Sequence, residues 1–211
     1  MEKVLDVYHE PYDQTHPLIT MDEASRQILD DVVPPLPMKP GTPKRVDDKY
    51  DREGVRVLFM FYDPISGWRR VGTGEHRART DWALQVRQLL EEDYPQAERV
   101  TLVMDNLNTH HEASLYHAFD AETAHRLARR LRIIHTPKNG SWLNMAEQEL
   151  SVLSRQCTGK RRFGSAEAMD EAVAAWAADR NRRGCGTDWR FTTADARIKL
   201  KRLYPVPDIY R

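Results

Sequence analysis

The sequence predicts an α/β fold in which a mixed five-stranded sheet is flanked by helices. Apolar stretches of strand length occur at 17–21, 55–62, 68–72, 100–104 and 132–135, and segments with helical periodicity separate and follow the later ones. The order strand, hairpin, helix, strand, helix, strand, helix, helix is typical of one sheet covered by helices. A chain of 211 residues is long enough to bury such a core in a single domain.

The composition excludes several classes of protein. No apolar run approaches the roughly 18 residues that a membrane helix requires. The first residues, Met1 to Asp6, carry charges where a signal peptide would be apolar. Two cysteines, Cys157 and Cys185, are too few for a disulfide framework or a thiolate metal site. We therefore expect a cytoplasmic protein without structural zinc.

The charges are unevenly distributed along the chain. The formal net charge is zero, but residues 1–150 carry a net −6 and residues 151–211 a net +6. A neutral chain lacks the simplest signature of a nucleic-acid-binding protein. The separation predicts two oppositely charged parts, of which the basic C-terminal one is suited to phosphates.

The first half of the chain is predicted to form three of the strands. The first strand, 17–21, ends at Asp22, and a proline-rich loop at 31–54 follows, since closely spaced prolines prevent a helix or a central strand. The segment 55–62 is rich in β-branched and aromatic residues. A turn-forming sequence joins it to 68–72, which indicates a β-hairpin.

Helical periodicity accounts for most of the remaining chain. We predict helices at 79–94, 111–119, 121–131, 142–157, 165–182 and 193–203. The helix at 142–157 matters most for function, and Ser141 is its expected N-cap. Its apolar stripe includes Leu143, Ala146 and Leu150, which we expect to face the core.

Carboxylates follow two of the predicted strands. Asp22 lies at the end of the first strand, and Asp105 comes directly after the strand 100–104. In an open α/β sheet, sites form at the carboxyl ends of strands where the strand order reverses. If the two strands are neighbours, the carboxylates face each other, and a hard cation such as Mg²⁺ would offset their repulsion.

A third acid would come from the helix 142–157, which carries Glu147 and Glu149. They lie about 200° apart on the helical wheel and flank opposite sides of the apolar stripe, so periodicity does not choose between them. Two ions held by such acids stabilise the attacking and leaving oxygens of a phosphoryl displacement. The chemistry indicated is therefore phosphodiester cleavage or transfer.

Two segments stand out for the order of their residues. Asp105-Asn106 is followed by His110, five positions after the aspartate, and 137–147 has the sequence PKNGSWLNMAE. Together these motifs resemble the catalytic domain of the DDE transposases of the mariner superfamily. They are most similar to its bacterial insertion-sequence branch.

The resemblance covers about 17–157 and departs from the family pattern in two places. The family has the motif Leu-Asn-Pro-Ile-Glu. This chain has Met-Ala at 145–146 in place of the Pro-Ile pair before Glu147. The 41 residues between Asp105 and Glu147 are also more than much of the superfamily has. The matching Leu-Asn pair still places Glu147, rather than Glu149, at the position of the family's third metal ligand.

The resemblance implies a ribonuclease H-like fold with Asp22, Asp105 and Glu147 as metal ligands, and with Glu23 as the alternative to Asp22. It implies two Mg²⁺ ions, for which Mn²⁺ is the usual substitute. The expected reaction is cleavage of DNA at the terminal inverted repeats of a transposon. The freed 3′-hydroxyl then attacks target DNA in cut-and-paste transposition, with TA as the preferred target and a homodimer as the acting species.

The same resemblance implies a division of the chain. We expect an N-terminal lead segment at 1–16, a catalytic domain at 17–183 that contains the proline-rich loop, and a basic, helical C-terminal extension at 184–211. A complete transposase of this kind carries helix-turn-helix modules before the catalytic domain, and the residues before Asp22 leave no room for them. We therefore expect the catalytic portion alone, from a bacterium and associated with the nucleoid when bound to DNA.

Four further residues are candidates for accessory roles. The resemblance places Asn106, His110 and Asn144 beside the triad, where His110 would orient a phosphate or a water molecule. Trp142, next to the turn, is suited to stack on an unpaired base. The structural alternatives are a histidine satisfied within the core and a tryptophan that packs at the start of a helix.

Basic residues that could follow the DNA backbone occur at the turn and in the C-terminal part. Contacts from such residues to phosphates supply affinity without sequence information, and a merely solvated face is the alternative. The candidates are Lys138, Arg155, Lys160, Arg161, Arg162, Arg180, Arg182 and Arg183. Because the chain as a whole is neutral, we expect weak DNA binding at physiological salt.

Two other functions fit the same residues. One is a different ribonuclease H-like nuclease, such as a resolvase or a nuclease for RNA–DNA hybrids, which uses the ions without strand transfer. The other is a non-catalytic DNA-binding or dimerisation remnant of a transposase, in which the acids bind no metal.

Overall fold

The computed structural model describes residues 1–159 and 161–205. In chain order the strands are β1 (Leu18–Asp31), β2 (Tyr50–Tyr62), β3 (Arg69–Gly74), β4 (Val100–Met104) and β5 (Leu131–His135). The α-helices within these residues are α1 (Glu2–Val7), α2 (Arg79–Gln88), α3 (Leu115–Ala118), α4 (Ala121–Arg129), α5 (Met145–Leu153), α6 (Ala166–Arg182) and α7 (Thr193–Lys199).

The five strands form one mixed sheet in the order β3-β2-β1-β4-β5. β1 is antiparallel to β2, which is antiparallel to β3, whereas β1, β4 and β5 run parallel to one another. The predicted mixed five-stranded sheet flanked by helices is therefore confirmed. The change from antiparallel to parallel pairing occurs at β1, and the carboxyl end of β4 lies beside Met21, near the start of β1.

β1 and β2 are longer than the sequence pattern predicts. β1 continues past residue 21 to Asp31, and β2 begins at Tyr50 rather than at residue 55. Residues 26–31 and 50–56 pair only with each other and form a two-stranded arm. The arm has largely polar, exposed side chains, so it lacks the apolar alternation from which strands are predicted. Asp22 consequently lies inside a strand and not at its end.

The core has two parts, one on each face of the sheet. On one face β1 and β2 pack against α5 and β3 packs against α6, and α1 and α7 join this part through Leu5 and Ala196. On the other face, Met21 of β1 and Phe59 of β2 pack with Trp82 of α2 and with α4. α1 and α7, which lie in the predicted lead segment and C-terminal extension, thus pack into the same core as the sheet.

Several predicted helices begin or end elsewhere. Those predicted at 111–119 and 193–203 are α-helical only over α3 and α7, and the one predicted at 121–131 ends at Arg129, because Leu131 begins β5. The helix predicted at 142–157 begins at Met145, because Asn144 is its N-cap, and Ser141 to Leu143 form a separate 3₁₀ turn. The helix predicted at 79–94 is α-helical only to Gln88 and continues as a wider turn to Asp93. Among the described residues, no helix has the length and apolar character needed to cross a membrane.

Candidate active site

Asp22 and Asp105 lie on neighbouring parallel strands where β4 ends. The ladder pairs Thr20 of β1 with Val103 of β4, and continuing that register by two residues brings Asp22 level with Asp105. β4 stops at Met104 while β1 continues along β2. The two carboxylates therefore meet at an opening in the sheet, as the sequence predicts.

The surroundings of Asp22 are crowded with negative charge. Burial raises the pKa of the Asp22 carboxyl, and the charges of Asp105, Glu147 and Glu23 raise it further, to about 6. A hydrogen bond from the backbone N–H of Glu23 to Asp22 Oδ1, 2.8 Å long, acts in the opposite direction. The ionised form of Asp22 is unfavourable because of the neighbouring acids, and a bound cation would stabilise it.

The two glutamates of α5 have different surroundings. Glu147, in the first turn, is exposed and lines the same cavity as Asp22. Glu149 is buried, with its Oε1 2.6 Å from Nε of Arg180 and 2.8 Å from Nε of Arg69. Glu149 is the counter-ion of two arginines, which leaves Glu147 as the acid that faces the opening.

Asn144 joins the start of α5 to β1. Its side chain is buried, its Oδ1 accepts a hydrogen bond from the N–H of Ala146 (3.1 Å), and its Nδ2 donates to the carbonyl of Met21 (2.9 Å). The Met21 carbonyl precedes Asp22, at a point where β4 no longer pairs with β1. Asn144 thus fixes the helix turn that carries Glu147 beside the strand that carries Asp22.

His110 lies behind Asp105 and not in the opening. Its side chain is fully buried; Nδ1 is 2.5 Å from Asp105 Oδ1 and Nε2 is 3.0 Å from Glu23 Oε1. Burial lowers the pKa of His110, but the hydrogen bonds to the two carboxylates outweigh it and raise the pKa to about 9. The ring has no surface for a phosphate or a water molecule, so the structure does not support the predicted substrate contact.

Strand periodicity separates the two acids of β1. Consecutive side chains of a strand point to opposite faces, so Glu23 shares the face of Met21 whereas Asp22 faces α5. Glu23 is buried against His110 and does not line the opening, which favours Asp22 over its alternative. The sequence alone did not predict the contact between Glu23 and His110. The alternation of side chains along β1 does place Glu23 on the same face as Met21.

A cavity of about 610 Å³ lies between these elements. Its lining includes the three predicted acids and Asn106, an exposed residue, and the turn at 136–141 forms the opposite wall. Asn139 of this turn adopts φ 62°, and a Cβ on Gly140 would lie 2.6 Å from Cγ of Pro137. The turn therefore requires glycine at position 140 to keep its shape.

A second cavity, of about 510 Å³, continues from the first along α5. The two share Ser141 and Glu147, and the second also contains Trp142 and Arg155. Trp142 is 41% exposed, and its ring stacks on that of Trp189 at a centroid distance of 6.5 Å. One face of the indole is therefore backed by the C-terminal extension.

A family model described as DDE superfamily endonuclease matches residues 17–170, which include all three acids. The chain belongs to this family. The motif resemblance is thereby confirmed for the family as a whole. No curated protein matches this DDE endonuclease in sequence.

Solved structures of the Mos1 mariner transposase have the same fold as this DDE endonuclease. The Mos1 paired-end complex with Mn has 19% identity and a TM-score of 0.55, over 87% of this chain and 55% of the other. The Mos1 strand transfer complex has 19% identity and a TM-score of 0.56. The isolated Mos1 catalytic domain has 16% identity and a TM-score of 0.53, over 87% and 83% of the two chains.

These matches confirm the expected ribonuclease H-like architecture. The DDE endonuclease spans about half the length of the Mos1 chains in the complexes, but most of the isolated catalytic domain. The shared part is therefore the catalytic fold.

The acids of the DDE endonuclease fit a divalent cation in their chemistry. Asp22, Asp105 and Glu147 supply only oxygen donors, which Mg²⁺ and Mn²⁺ prefer, and they surround one cavity. Within residues 1–159 and 161–205, no three His, Cys, Asp or Glu side chains are already arranged to hold an ion.

The predicted DNA-binding residues of the endonuclease fall into two groups. Some line the cavities or are exposed without an ion-pair partner among the described residues, and others are already paired within the chain. Lys138 and Arg155 line the cavities, and Arg161 is exposed above the ring of Phe163. The paired residues are Arg162 with Asp31 at 2.7 Å, Arg180 with Glu149, and Arg182 and Arg183 with Asp179. Lys160 lies outside the described residues.

Proposed function

We propose that this DDE endonuclease is the catalytic domain of a DNA transposase, which cleaves transposon ends and joins the 3′-hydroxyl to target DNA. The observation that carries the proposal is the convergence of three carboxylates, from β1, the end of β4 and the first turn of α5, on one cavity. Membership of the family and likeness to the Mos1 catalytic fold support it.

Asp22, Asp105 and Glu147 would hold two Mg²⁺ ions, with Mn²⁺ as a substitute. When bound, such ions activate the attacking oxygen and stabilise the leaving oxygen of a phosphodiester. The chain contributes the donors and their support: Asn144 keeps Glu147 beside Asp22, and the turn at 136–141 closes the opposite side.

We further propose that one DNA strand follows the two connected cavities. Lys138 at the first cavity and Arg155 at the second are placed to contact successive phosphates. Trp142 offers a supported aromatic face for a base that leaves the duplex. Arg161 is exposed and is a further candidate for a phosphate contact, whereas the ion-paired Arg162 and Arg180 are left out of this track.

The remaining parts of the proposal come from the resemblance. They are recognition of terminal inverted repeats, TA as target, a homodimer, and a bacterial cytoplasm with nucleoid association on DNA. Exposed apolar side chains beyond the arm, such as Leu36 and Met38 at 64% and 76%, support self-association, because such surface is unfavourable in water.

Calorimetric titration with Mn²⁺ tests the metal site. The parent protein should give a heat of binding that saturates as Mn²⁺ is added. A variant with Asp22→Ala, Asp105→Ala and Glu147→Ala should give only the heat of dilution. Equal heats from the two proteins would contradict the proposal and favour a non-catalytic remnant. Thermal unfolding of both proteins in EDTA shows whether the variant is folded.

Joining of a pre-cut end separates a transposase from a simple nuclease. A labelled duplex with a free 3′-hydroxyl is incubated with supercoiled plasmid and Mn²⁺, and the label should become covalently attached to the plasmid. The variant Asp105→Asn is the control and should give no joined product. Nicked plasmid without joined label would indicate the other ribonuclease H-like nuclease.

The salt dependence of DNA binding tests the proposed track. Each of Lys138→Ala and Arg155→Ala should reduce the slope of log K against log [salt] by about 1, since each removes one phosphate contact. Arg183→Ala is the matched control, because its side chain is exposed but paired with Asp179. A control that lowers the slope as much as the two track variants would refute the track.

A further inference from the structure

A hydrogen-bonded link connects two carboxylates on different strands at the back of the cavity. His110 Nε2 is 3.0 Å from Oε1 of Glu23 on β1, and His110 Nδ1 is 2.5 Å from Oδ1 of Asp105 after β4. The side chains of His110 and Glu23 are 0% and 5% exposed, whereas that of Asp105 is 39% exposed. Only the last member of the link reaches the cavity.

Asp105 needs such support because the backbone around it provides little. It follows the last residue of β4, Met104, so its own backbone has left the ladder between β4 and β5. A half-exposed aspartate at a strand end is free to change rotamer. The bond from His110 occupies Oδ1, and Oδ2 has no hydrogen-bond partner among the described residues.

His110 is itself held in place from two sides. Its ring stacks on that of Trp82, a fully buried residue of α2, with centroids 6.2 Å apart and an interplanar angle of 30°. Its second nitrogen is engaged by Glu23, so rotation of the ring would break two hydrogen bonds. The imidazole is thereby fixed relative to both β1 and α2.

The link is poorly explained as a device for stability. Glu23 Oε2 is buried without a hydrogen-bond partner, and a buried polar atom in that state costs about 1–3 kcal/mol. An apolar side chain at this position would avoid the cost. Polar groups that violate packing rules in this way are expected where function requires them.

We propose that Glu23 and His110 are positioning residues that fix the carboxylate of Asp105, with Oδ2 left for a divalent cation. The inference rests on the proposed metal-binding role of Asp105. Groups that hydrogen-bond to a metal ligand orient it, and their loss typically weakens metal affinity by about 10–100-fold. Glu23 acts through His110, and neither residue touches the substrate.

Mn²⁺ affinity, measured by calorimetry, tests the positioning role without any activity assay. His110→Ala and Glu23→Ala should each weaken Mn²⁺ binding by about 10–100-fold. Glu23→Gln should stay within about threefold of the parent, because the amide oxygen still accepts the bond from His110 although the charge is lost. The pair of Glu23 variants therefore separates orientation from the simple loss of a negative charge.

A second histidine at the same place supplies the matched control. His135 Nδ1 is 3.1 Å from the backbone carbonyl of Asp105, so His135→Ala removes a contact to the same residue but none to its carboxylate. It should stay within about threefold of the parent. If it weakens binding as much as His110→Ala, or if Glu23→Gln binds as poorly as Glu23→Ala, the positioning role is wrong.

Two further results complete the test. Parent-like affinity in both His110→Ala and Glu23→Ala would also overturn the inference, and if His110→Ala does not fold, the Glu23 pair decides. Asp105→Ala tests the underlying proposal separately, and it should abolish binding. Parent-like binding by Asp105→Ala would refute the metal site itself, and the positioning role with it.

Discussion

Two glutamates that stand two residues apart on α5 should respond to mutation in opposite ways. Glu149→Ala should destabilise the protein and leave the metal site intact, whereas Glu147→Gln should remove metal binding and leave stability nearly unchanged. The reason is their surroundings, since Glu149 is buried between Arg69 and Arg180 and Glu147 is exposed at the cavity.

The size of the effect follows from the burial of the arginines. The side chain of Arg69 is 0% exposed, so without Glu149 its charge remains buried with no carboxylate beside it among the described residues. It would keep the hydrogen bonds to Asn181 and the Cys185 carbonyl and the contact with the Tyr62 ring. Arg180 is 17% exposed and regains water more easily. Removing one partner of a buried pair costs about 3–5 kcal/mol. For a chain of this length, that loss lowers Tm by about 6–20 °C.

Urea unfolding followed by circular dichroism measures the stability, and calorimetry with Mn²⁺ at 15 °C measures the site. Glu149→Gln is the matched control and should lose less stability than Glu149→Ala, because the amide oxygen still accepts a hydrogen bond from Arg180. Glu147→Gln should change the free energy of unfolding by no more than about 0.5 kcal/mol. The reasoning is refuted if Glu149→Ala keeps the parent stability but loses Mn²⁺ binding.

Three other outcomes follow from the site. Asn144→Ala should lower the free energy of unfolding in urea by about 2–3 kcal/mol, because it removes a helix cap and leaves the buried carbonyl of Met21 unpaired. An unchanged midpoint of the urea unfolding curve would contradict this. Gly140→Ala should lower Tm and weaken Mn²⁺ binding, since its Cβ would meet Pro137; parent-like values of both would show that the turn adapts. Mn²⁺ at 100 times its Kd should stabilise the parent by about 2.7 kcal/mol and the Asp105→Asn variant by far less. The measurement is the difference in Tm between Mn²⁺ and EDTA for each protein, and equal differences would exclude the site.

The two strands after the hairpin could be predicted from sequence because they are short and contain β-branched and apolar residues. The predictions at 100–104 and 132–135 agree with the observed β4 and β5, apart from one residue at the start of β5. The arm could not be predicted, because its strands have little apolar surface and pair only with each other. Pairing partners of polar strands are set by topology, which a local pattern does not contain.

The first two acids of the site were accessible from the sequence, and the third was not accessible from periodicity. Asp22 and Asp105 follow apolar stretches, and parallel strands bring such positions to one edge. Glu147 and Glu149 are equivalent on a helical wheel, and only the family motif distinguishes them. The N-cap of α5 lies three residues after the predicted one. Ser141 and Asn144 are both residue types that cap helices well, and the hydrogen bond to β1 selects Asn144.

By itself, the sequence determined the order of the strands and of the helices after them, the two acids that follow apolar stretches, and the motif that identifies the family. Only the tertiary structure decided that Glu149 neutralises two arginines, that Glu147 faces the cavity, and that His110 is a buried support rather than a substrate contact. The physical reason is that the role of a charged side chain depends on its burial and its partners. Those partners, such as Arg69 for Glu149 and Glu23 for His110, lie about eighty to ninety residues away along the chain and meet only when the sheet and helices pack.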